Sequence, residues 1–377
     1  VEGRLHLVAL NWRDIRNPDA GGAETHLHEI LTRMVARGHR ATLLASGFAG
    51  GAAEGEIDGV RVIRRGEWWN ANFALPRALR VLLRREHADL IVEDINKIPF
   101  LSPLHARTPV LAVVPHLFGT TVFRETHPVL ALYVLAWEAL IPRVYRRCRF
   151  AVISTSTRDD LVARGIDARR IDVVLCGLDH ARFRRLPDVA RDPVPTLVHF
   201  GRMRRYKAID VVIRALAIVR RSVPAARLVI VGDGPDRARL ERVVRREGLG
   251  DAVEFAGRMS GDAMVRLLNR CHVFLNASPK EGWGLTVVEA NACGVPVVGS
   301  DRPGLRDSIQ HGVTGFLVPY GDADAFARRA VELLTDAELW RRTSQAGEAW
   351  ARSLTWERTA DEMERVFLRA AGATDAA

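Results

Sequence analysis

The sequence predicts an α/β protein of two doubly wound domains, each a largely parallel sheet covered by helices. Three observations carry that prediction. Short apolar runs with strand character alternate with helical stretches along the whole chain, as parallel sheets flanked by helices require. The alternation pauses at Leu186 to Pro195, a linker-like segment with Pro187, Pro193 and Pro195, and then resumes. Glycine turns stand where several strands should end, which is where doubly wound sheets bind ligands. A chain of 377 residues, 48% hydrophobic, has ample material for two cores.

The first series opens with Leu5–Leu10, which reads as a core strand rather than a signal peptide. Asp19-Ala20-Gly21-Gly22-Ala23-Glu24 then leads into a helix from Glu24 to Arg37, stopped by Gly38. Further strands are expected at Arg40–Ala45, Val60–Ile63, Leu90–Glu93, Val110–Val114 and Ala151–Ser154. Trp68-Trp69-Asn70-Ala71-Asn72-Phe73 is either an aromatic platform for a sugar or lipid, or a core patch. The apolar stretch Val129 to Ile141 is interrupted by Glu138 and followed by Arg143, Arg146, Arg147 and Arg149. It fits a buried helix or one lying on an anionic membrane, and falls short of the roughly 18–20 residues that span a bilayer.

The second series runs through strands Thr196–Phe200, Arg227–Val231, Val253–Phe255, Val273–Leu275 and Val295–Val298. Helices at about Asp322–Leu334, Ala337–Ser353 and Trp356–Ala371 close the chain. The expected domains are 1–185 and 186–354, with 355–377 as a final helix.

Lys and Arg number 55 against 45 acids, a net charge of +10 carried almost wholly by Arg. That charge favours phosphate-bearing partners or an anionic membrane surface; a GC-rich genome writing Arg on solvated faces explains it equally. Nucleic-acid binding is disfavoured, because only 7% of residues are aromatic and the Arg are scattered. Four cysteines lie far apart without a C-x-x-C pair, as in the reduced core of a cytosolic protein. A cytoplasmic location follows.

Candidate site residues cluster at the glycine turns. Glu281-Gly282-Trp283-Gly284-Leu285-Thr286-Val287-Val288-Glu289 joins a strand to a helix beginning near Leu285. Amides at such a helix start carry positive potential and suit a phosphate or sugar oxygen, while carboxylates accept hydrogen bonds from hydroxyls. The two acids therefore suit a polyol and a ribose, or are structural. Strand Thr196–Phe200 ends in Gly201-Arg202-Met203-Arg204-Arg205-Tyr206-Lys207, where Arg202 and Lys207 form a diphosphate clamp or a solvated loop. Gly232-Asp233-Gly234-Pro235 and Gly21-Gly22 are ligand loops or tight turns. His116, after Pro115, is a substrate contact or a structural histidine. No P-loop, G-x-S-x-G elbow or H-E-x-x-H helix occurs. A nicotinamide-dependent oxidoreductase lacks its dinucleotide fingerprint and leaves Glu281 and Glu289 unexplained.

Taken in order, these motifs resemble the family 4 glycosyltransferases, retaining enzymes of the GT-B fold. Ala292-Cys293-Gly294-Val295-Pro296-Val297-Val298 and Gly312-Val313-Thr314-Gly315-Phe316-Leu317-Val318 add to the likeness, which is strongest from Thr196 to Val318. The resemblance implies two Rossmann-like domains across a deep cleft, the N-terminal one binding acceptor and the C-terminal one binding nucleotide sugar. The final helix would cross back onto the N-terminal domain. The implied reaction moves a hexose from a UDP- or GDP-sugar to a hydroxyl of a sugar, lipid-linked or cell-envelope acceptor, with retention. A non-catalytic relative that binds nucleotide sugars is the alternative.

By the same resemblance, Arg202 and Lys207 would hold the diphosphate and stabilise the charge on the departing phosphate. Glu281 would bind the transferred sugar, Glu289 the ribose, and the amides of Trp283, Gly284 and Leu285 the sugar or phosphate. Gly201 and Gly232 would shape the donor loops, and Arg258 and Met259 would lie along the nucleobase. Gly22 would let its loop approach the diphosphate, and His116 would contact the donor sugar. No metal or other cofactor is expected. The sequence departs from the family at Ala208, where Gly is usual, and at Leu117-Phe118 after His116, where a second polar residue is usual.

Overall fold

The computed structural model describes residues 3–124 and 126–372. The chain divides into two compact units, Val1–Gly177 with Trp356–Ala377, and Leu178–Thr355. Residues just after Gly177 belong to the second unit by their hydrogen bonds. Leu178 bridges to Thr355, the His180 ring bonds the Leu354 carbonyl at 2.9 Å, and Leu186 N–H donates to Asn269 Oδ1 at 2.8 Å. The crossing therefore precedes the proline-rich segment.

In the first unit the chain runs β1 (His6–Leu10), α1 (Gly22–Ala36), β2 (Arg40–Ala45), β3 (Glu54–Ile57), β4 (Val60–Arg64) and α2 (Ala71–Leu83). It continues through β5 (Leu90–Asp94), β6 (Val110–Val114), α3 (Pro128–Glu138), α4 (Ile141–Val144), β7 (Arg149–Val152), α5 (Thr155–Ala163) and β8 (Ile171–Val173). The sheet order is β3-β4-β2-β1-β5-β6-β7-β8, parallel throughout except for the β3/β4 hairpin. Chain order reverses between β1 and β5, the switch point of this sheet. Both faces are buried: Leu7 and Ala9 join one core with Leu27 and Ile30 of α1, Val8 and Leu10 another with Leu75 and Leu79 of α2.

In the second unit the strand expected at Val295–Val298 is Val297–Ser300, and in the first unit two strand expectations shift for physical reasons. The strand expected at Ala151–Ser154 is Arg149–Val152, because Ser154 leaves the ladder to cap α5, accepting from Thr157 N–H at 3.1 Å. The hairpin strand β3 was not expected, since Glu54-Gly55-Glu56-Ile57 lacks alternating hydrophobicity. Its turn, Asp58-Gly59 with φ 49° and 80°, is nevertheless the signal of a two-residue hairpin.

The second unit runs β9 (Thr196–Phe200), α6 (Ile209–Ser222), β10 (Arg227–Val231), α7 (Arg237–Arg246), β11 (Val253–Gly257), α8 (Gly261–Arg270) and β12 (Val273–Asn276). Then come α9 (Leu285–Ala292), β13 (Val297–Ser300), α10 (Leu305–Ser308), β14 (Gly315–Val318), α11 (Ala323–Thr335) and α12 (Ala337–Arg352). Its sheet, β11-β10-β9-β12-β13-β14, is all parallel and reverses between β9 and β12.

The last helix, α13 (Trp356–Ala371), belongs to the first unit. Ala360, Met363, Val366 and Phe367 share the core of α1. Arg37, the C-cap of α1, pairs with Asp361 at 2.6 Å and with Glu364 at 2.5 Å.

Candidate active site

Three loops at the carboxyl ends of β9, β10 and β11 are laced together by their backbones. Gly201 N–H donates to Val231 O at 3.0 Å, Gly232 N–H to Gly257 O at 2.7 Å, and Met203 N–H to Asp233 O at 2.9 Å. Gly232 has φ +124°, and a Cβ there would lie 2.0 Å from the Gly201 carbonyl oxygen. Only glycine permits so close an approach. The result is a rigid ledge of backbone at the β9/β12 switch point, where an α/β sheet binds its ligand.

Lys207 ends a single 3-10 turn, Arg205–Lys207, in the loop leaving β9. Its Nζ donates to Glu281 Oε1 at 2.6 Å, and both side chains are mostly buried. Glu281 comes from the loop after β12, anchored by its N–H donating to Pro303 O at 3.1 Å. The structure thus joins two predicted residues that are far apart in sequence. Ala208, next in the chain, sits at φ 50° and ψ 38°. The left-handed turn that glycine usually makes is therefore kept by alanine, at a cost of about 1–2 kcal/mol.

Gly284 caps α9 and Leu285 begins it, so the amides of this turn sit at a helix start as expected. Trp283 is buried, and its indole N–H has no hydrogen-bond partner among the described residues. Glu289 lies one turn into α9 and keeps some accessible surface. Even so, burial of its carboxyl pushes its pKa up to about 7, with the positive charge of Arg182 pulling the other way. Arg202 is exposed in the β9 loop; after β11, Arg258 is exposed and Met259 half-buried.

Gly22 and His116 belong to the first unit. Gly22 is the first residue of α1, and the preceding Gly21 N–H donates to Glu24 Oε2 at 2.7 Å. His116 is half-buried and meets Phe118 edge-on at 5.2 Å. Its loop is fixed by the buried Glu138, whose carboxylate accepts from Phe118 N–H at 2.6 Å and Gly119 N–H at 3.0 Å.

Comparison with known proteins agrees with this frame. The family described as "Glycosyltransferase Family 4" matches residues 20–182, and "Glycosyl transferases group 1" matches residues 187–350. The chain is 30% identical over 367 residues to the GDP-mannose-dependent alpha-(1-6)-phosphatidylinositol monomannoside mannosyltransferase of Mycobacterium tuberculosis, covering 88% of this chain and 90% of that one. It belongs to glycosyltransferase family 4.

Another relative, the N-acetyl-alpha-D-glucosaminyl L-malate synthase of Bacillus anthracis, is 34% identical over 172 residues, which span 45% of this chain and 44% of that enzyme. Among solved structures, sucrose-phosphate synthase of Thermosynechococcus elongatus superposes with a TM-score of 0.84 at 21% identity, over 98% of this chain and 100% of that one. Anabaena HepE in complex with UDP-glucose gives 0.78 at 20% identity, over 97% and 100%. The fold of this family 4 chain is GT-B, with two Rossmann-like α/β units.

Several polar residues near the sites were not singled out from sequence. The positive charge of Arg182 acts on Glu289. His199, on β9 near Lys207 and Glu281, is pushed down to about 4 by burial, and its Nδ1 lies 2.8 Å from Leu275 O. In the first unit, Asn96 Nδ2 donates to Asn11 Oδ1 at 2.8 Å at the β1/β5 switch point. The Asp94 carboxyl there has no hydrogen-bond partner among the described residues. Burial, with the charges of Glu24 and Glu93, holds it well above the usual carboxylate range. Among the described residues no three His, Cys, Asp or Glu are grouped to hold a metal ion.

Proposed function

We propose that the chain transfers a hexose from a UDP- or GDP-sugar to an acceptor hydroxyl, with retention of anomeric configuration and without a metal ion. The observation that carries this reading is the Lys207–Glu281 pair at the Gly201/Gly232 ledge, with Glu289 a short way into α9. An ammonium has three N–H donors, so a bond to Glu281 is compatible with contacts to phosphate oxygens. Lys207 and Arg202 would stabilise the charge that grows on the diphosphate as the sugar–phosphate bond breaks.

Glu281 would bind hydroxyls of the sugar and Glu289 those of the ribose, while the amides of Trp283, Gly284 and Leu285 and the helix start take sugar or phosphate oxygens. Arg258 and Met259 would line the nucleobase. The departing phosphate oxygen would take the acceptor proton on the same face of the sugar, so no pair of carboxylates flanking the bond is required. The acceptor is a hydroxyl of a sugar, a lipid-linked compound or another cell-envelope precursor, and we place the enzyme in the cytoplasm. Four free cysteines, three of them buried, suit a reducing compartment.

The test is to incubate the enzyme with UDP-glucose or GDP-mannose, a bacterial lipid extract and EDTA, and to identify the product linkage by NMR. Transfer with the donor's anomeric configuration in the presence of EDTA is expected. An inverted linkage, or transfer that EDTA abolishes, contradicts the reading.

A further inference from the structure

The first unit carries an apolar surface that its own fold leaves uncovered. Among the described residues, ten of the twelve exposed large hydrophobic side chains lie between Trp68 and Tyr133. Trp68, Trp69 and Phe73, at the start of α2, are 71%, 63% and 67% exposed. They are not the core patch that the sequence also allowed. On α3 only Ala131 and Glu138 are fully buried, whereas Val129 and Leu132 are 67% and 60% exposed. This helix is apolar all round but covered on one side only, by contacts of Val134 and Trp137 with the core.

The pieces form one surface. Asn72 Nδ2 on α2 donates to the Tyr133 hydroxyl on α3 at 2.7 Å. At the other end of α2, Arg80 lies close enough to His105 for its charge to add to the burial that lowers that imidazole's pKa. Leu104, next to His105 in the chain, is 64% exposed.

Charge decides what covers this surface. Phe73, Arg77, Arg80 and Arg84 recur at helical spacing on the exposed side of α2, and residues 68–85 contain no acid. Beyond α3, Arg143, Arg146 and Arg147 are exposed. The one acid between 127 and 149 is Glu138, buried and bonded to the Phe118 and Gly119 amides. A patch of Trp, Phe, Leu and Tyr rimmed by six exposed Arg against one exposed acid, Glu67, whose carboxylate accepts the Trp69 indole N–H at 2.9 Å, matches a bilayer interface bearing anionic headgroups.

We propose that the start of α2 and the outer side of α3 dock this chain on an anionic lipid bilayer. Trp68, Trp69, Phe73, Leu130 and Leu132 enter the headgroup–acyl boundary, and Arg77, Arg80 and Arg84 meet lipid phosphates. The surface lies within the first unit and does not depend on the donor-site reading.

The test is co-sedimentation of the full chain with vesicles of phosphatidylcholine alone and of phosphatidylcholine with about 30% phosphatidylglycerol. Tryptophan emission is read alongside. The proposal expects binding to the anionic vesicles with a blue shift, little binding to the neutral ones, and release as salt rises to about 0.5 M. Leu130→Glu with Leu132→Glu, and separately Arg80→Glu with Arg84→Glu, should each cut partitioning more than about tenfold. Both pairs are exposed, so an unchanged melting temperature verifies folding. Absence of binding to either vesicle overturns the proposal, as does binding that both variants retain. Concentration-dependent self-association lost in the leucine variant, without vesicle binding, would overturn it in favour of an interface between copies of this chain.

Discussion

Replacing Glu289 with glutamine tests whether a stability cost is retained for function. Burial raises this carboxyl from an ordinary 4.5 to about 7. Between those values the native state binds more protons than the unfolded chain, so stability falls as pH rises through the window and stays low above it. At about 1.36 kcal/mol per pH unit, the cost at pH 8 is on the order of 3 kcal/mol. Glutamine keeps the shape and cannot ionise. Glu289→Gln should therefore melt higher than the parent at pH 8, by roughly 6–12 °C for a domain of this size, and at a similar temperature near pH 4.5. The same change removes a charged acceptor from the proposed ribose site and should weaken donor binding about 10–100-fold, or ~1.5–3 kcal/mol. The assay is thermal unfolding of parent and variant from pH 4.5 to 8.5, with donor affinity measured at pH 8. Parallel pH profiles for parent and variant would refute the buried-carboxylate reasoning. A stabilised variant with unchanged donor affinity would refute the ribose assignment.

Three further outcomes follow from the site. Lys207→Ala should lower kcat about 10²–10³-fold, the usual loss for one preorganised charge-stabilising group; a steady-state assay checks it, and an unchanged kcat removes Lys207 from the clamp. Ala208→Gly should stabilise the second unit by about 1 kcal/mol in urea unfolding, because φ 50° strains alanine and not glycine. Gly232→Ala should destabilise by more than about 2 kcal/mol, since its methyl would meet the Gly201 carbonyl at 2.0 Å; a melting temperature within a degree of the parent's would show that the ledge yields.

Most parallel strands were legible because they are buried on both faces and read as apolar runs bounded by glycine, as in Arg227–Val231 before Gly232. The hairpin strand β3 was not, because an exposed edge strand needs no apolar period; its Asp58-Gly59 turn was the readable trace. Lys207 and Glu281 could be singled out in sequence through their loops, but the bond between them depends on how β9 and β12 are placed side by side. Arg182, His199 and the Asn11–Asn96 pair acquire meaning from tertiary neighbours alone, and no spacing marks them. On α3 the sequence leaned towards a buried helix, whereas Val129, Leu130 and Leu132 are exposed, because a helix apolar all round has no face to predict.

A thermal-shift panel of UDP, GDP, ADP and their glucose and mannose conjugates, with and without EDTA, tests the donor clamp most directly. The account predicts a rise of several degrees for one nucleotide family, indifferent to EDTA and lost in Arg202→Ala. A shift that survives Arg202→Ala, or that vanishes with EDTA, would contradict it.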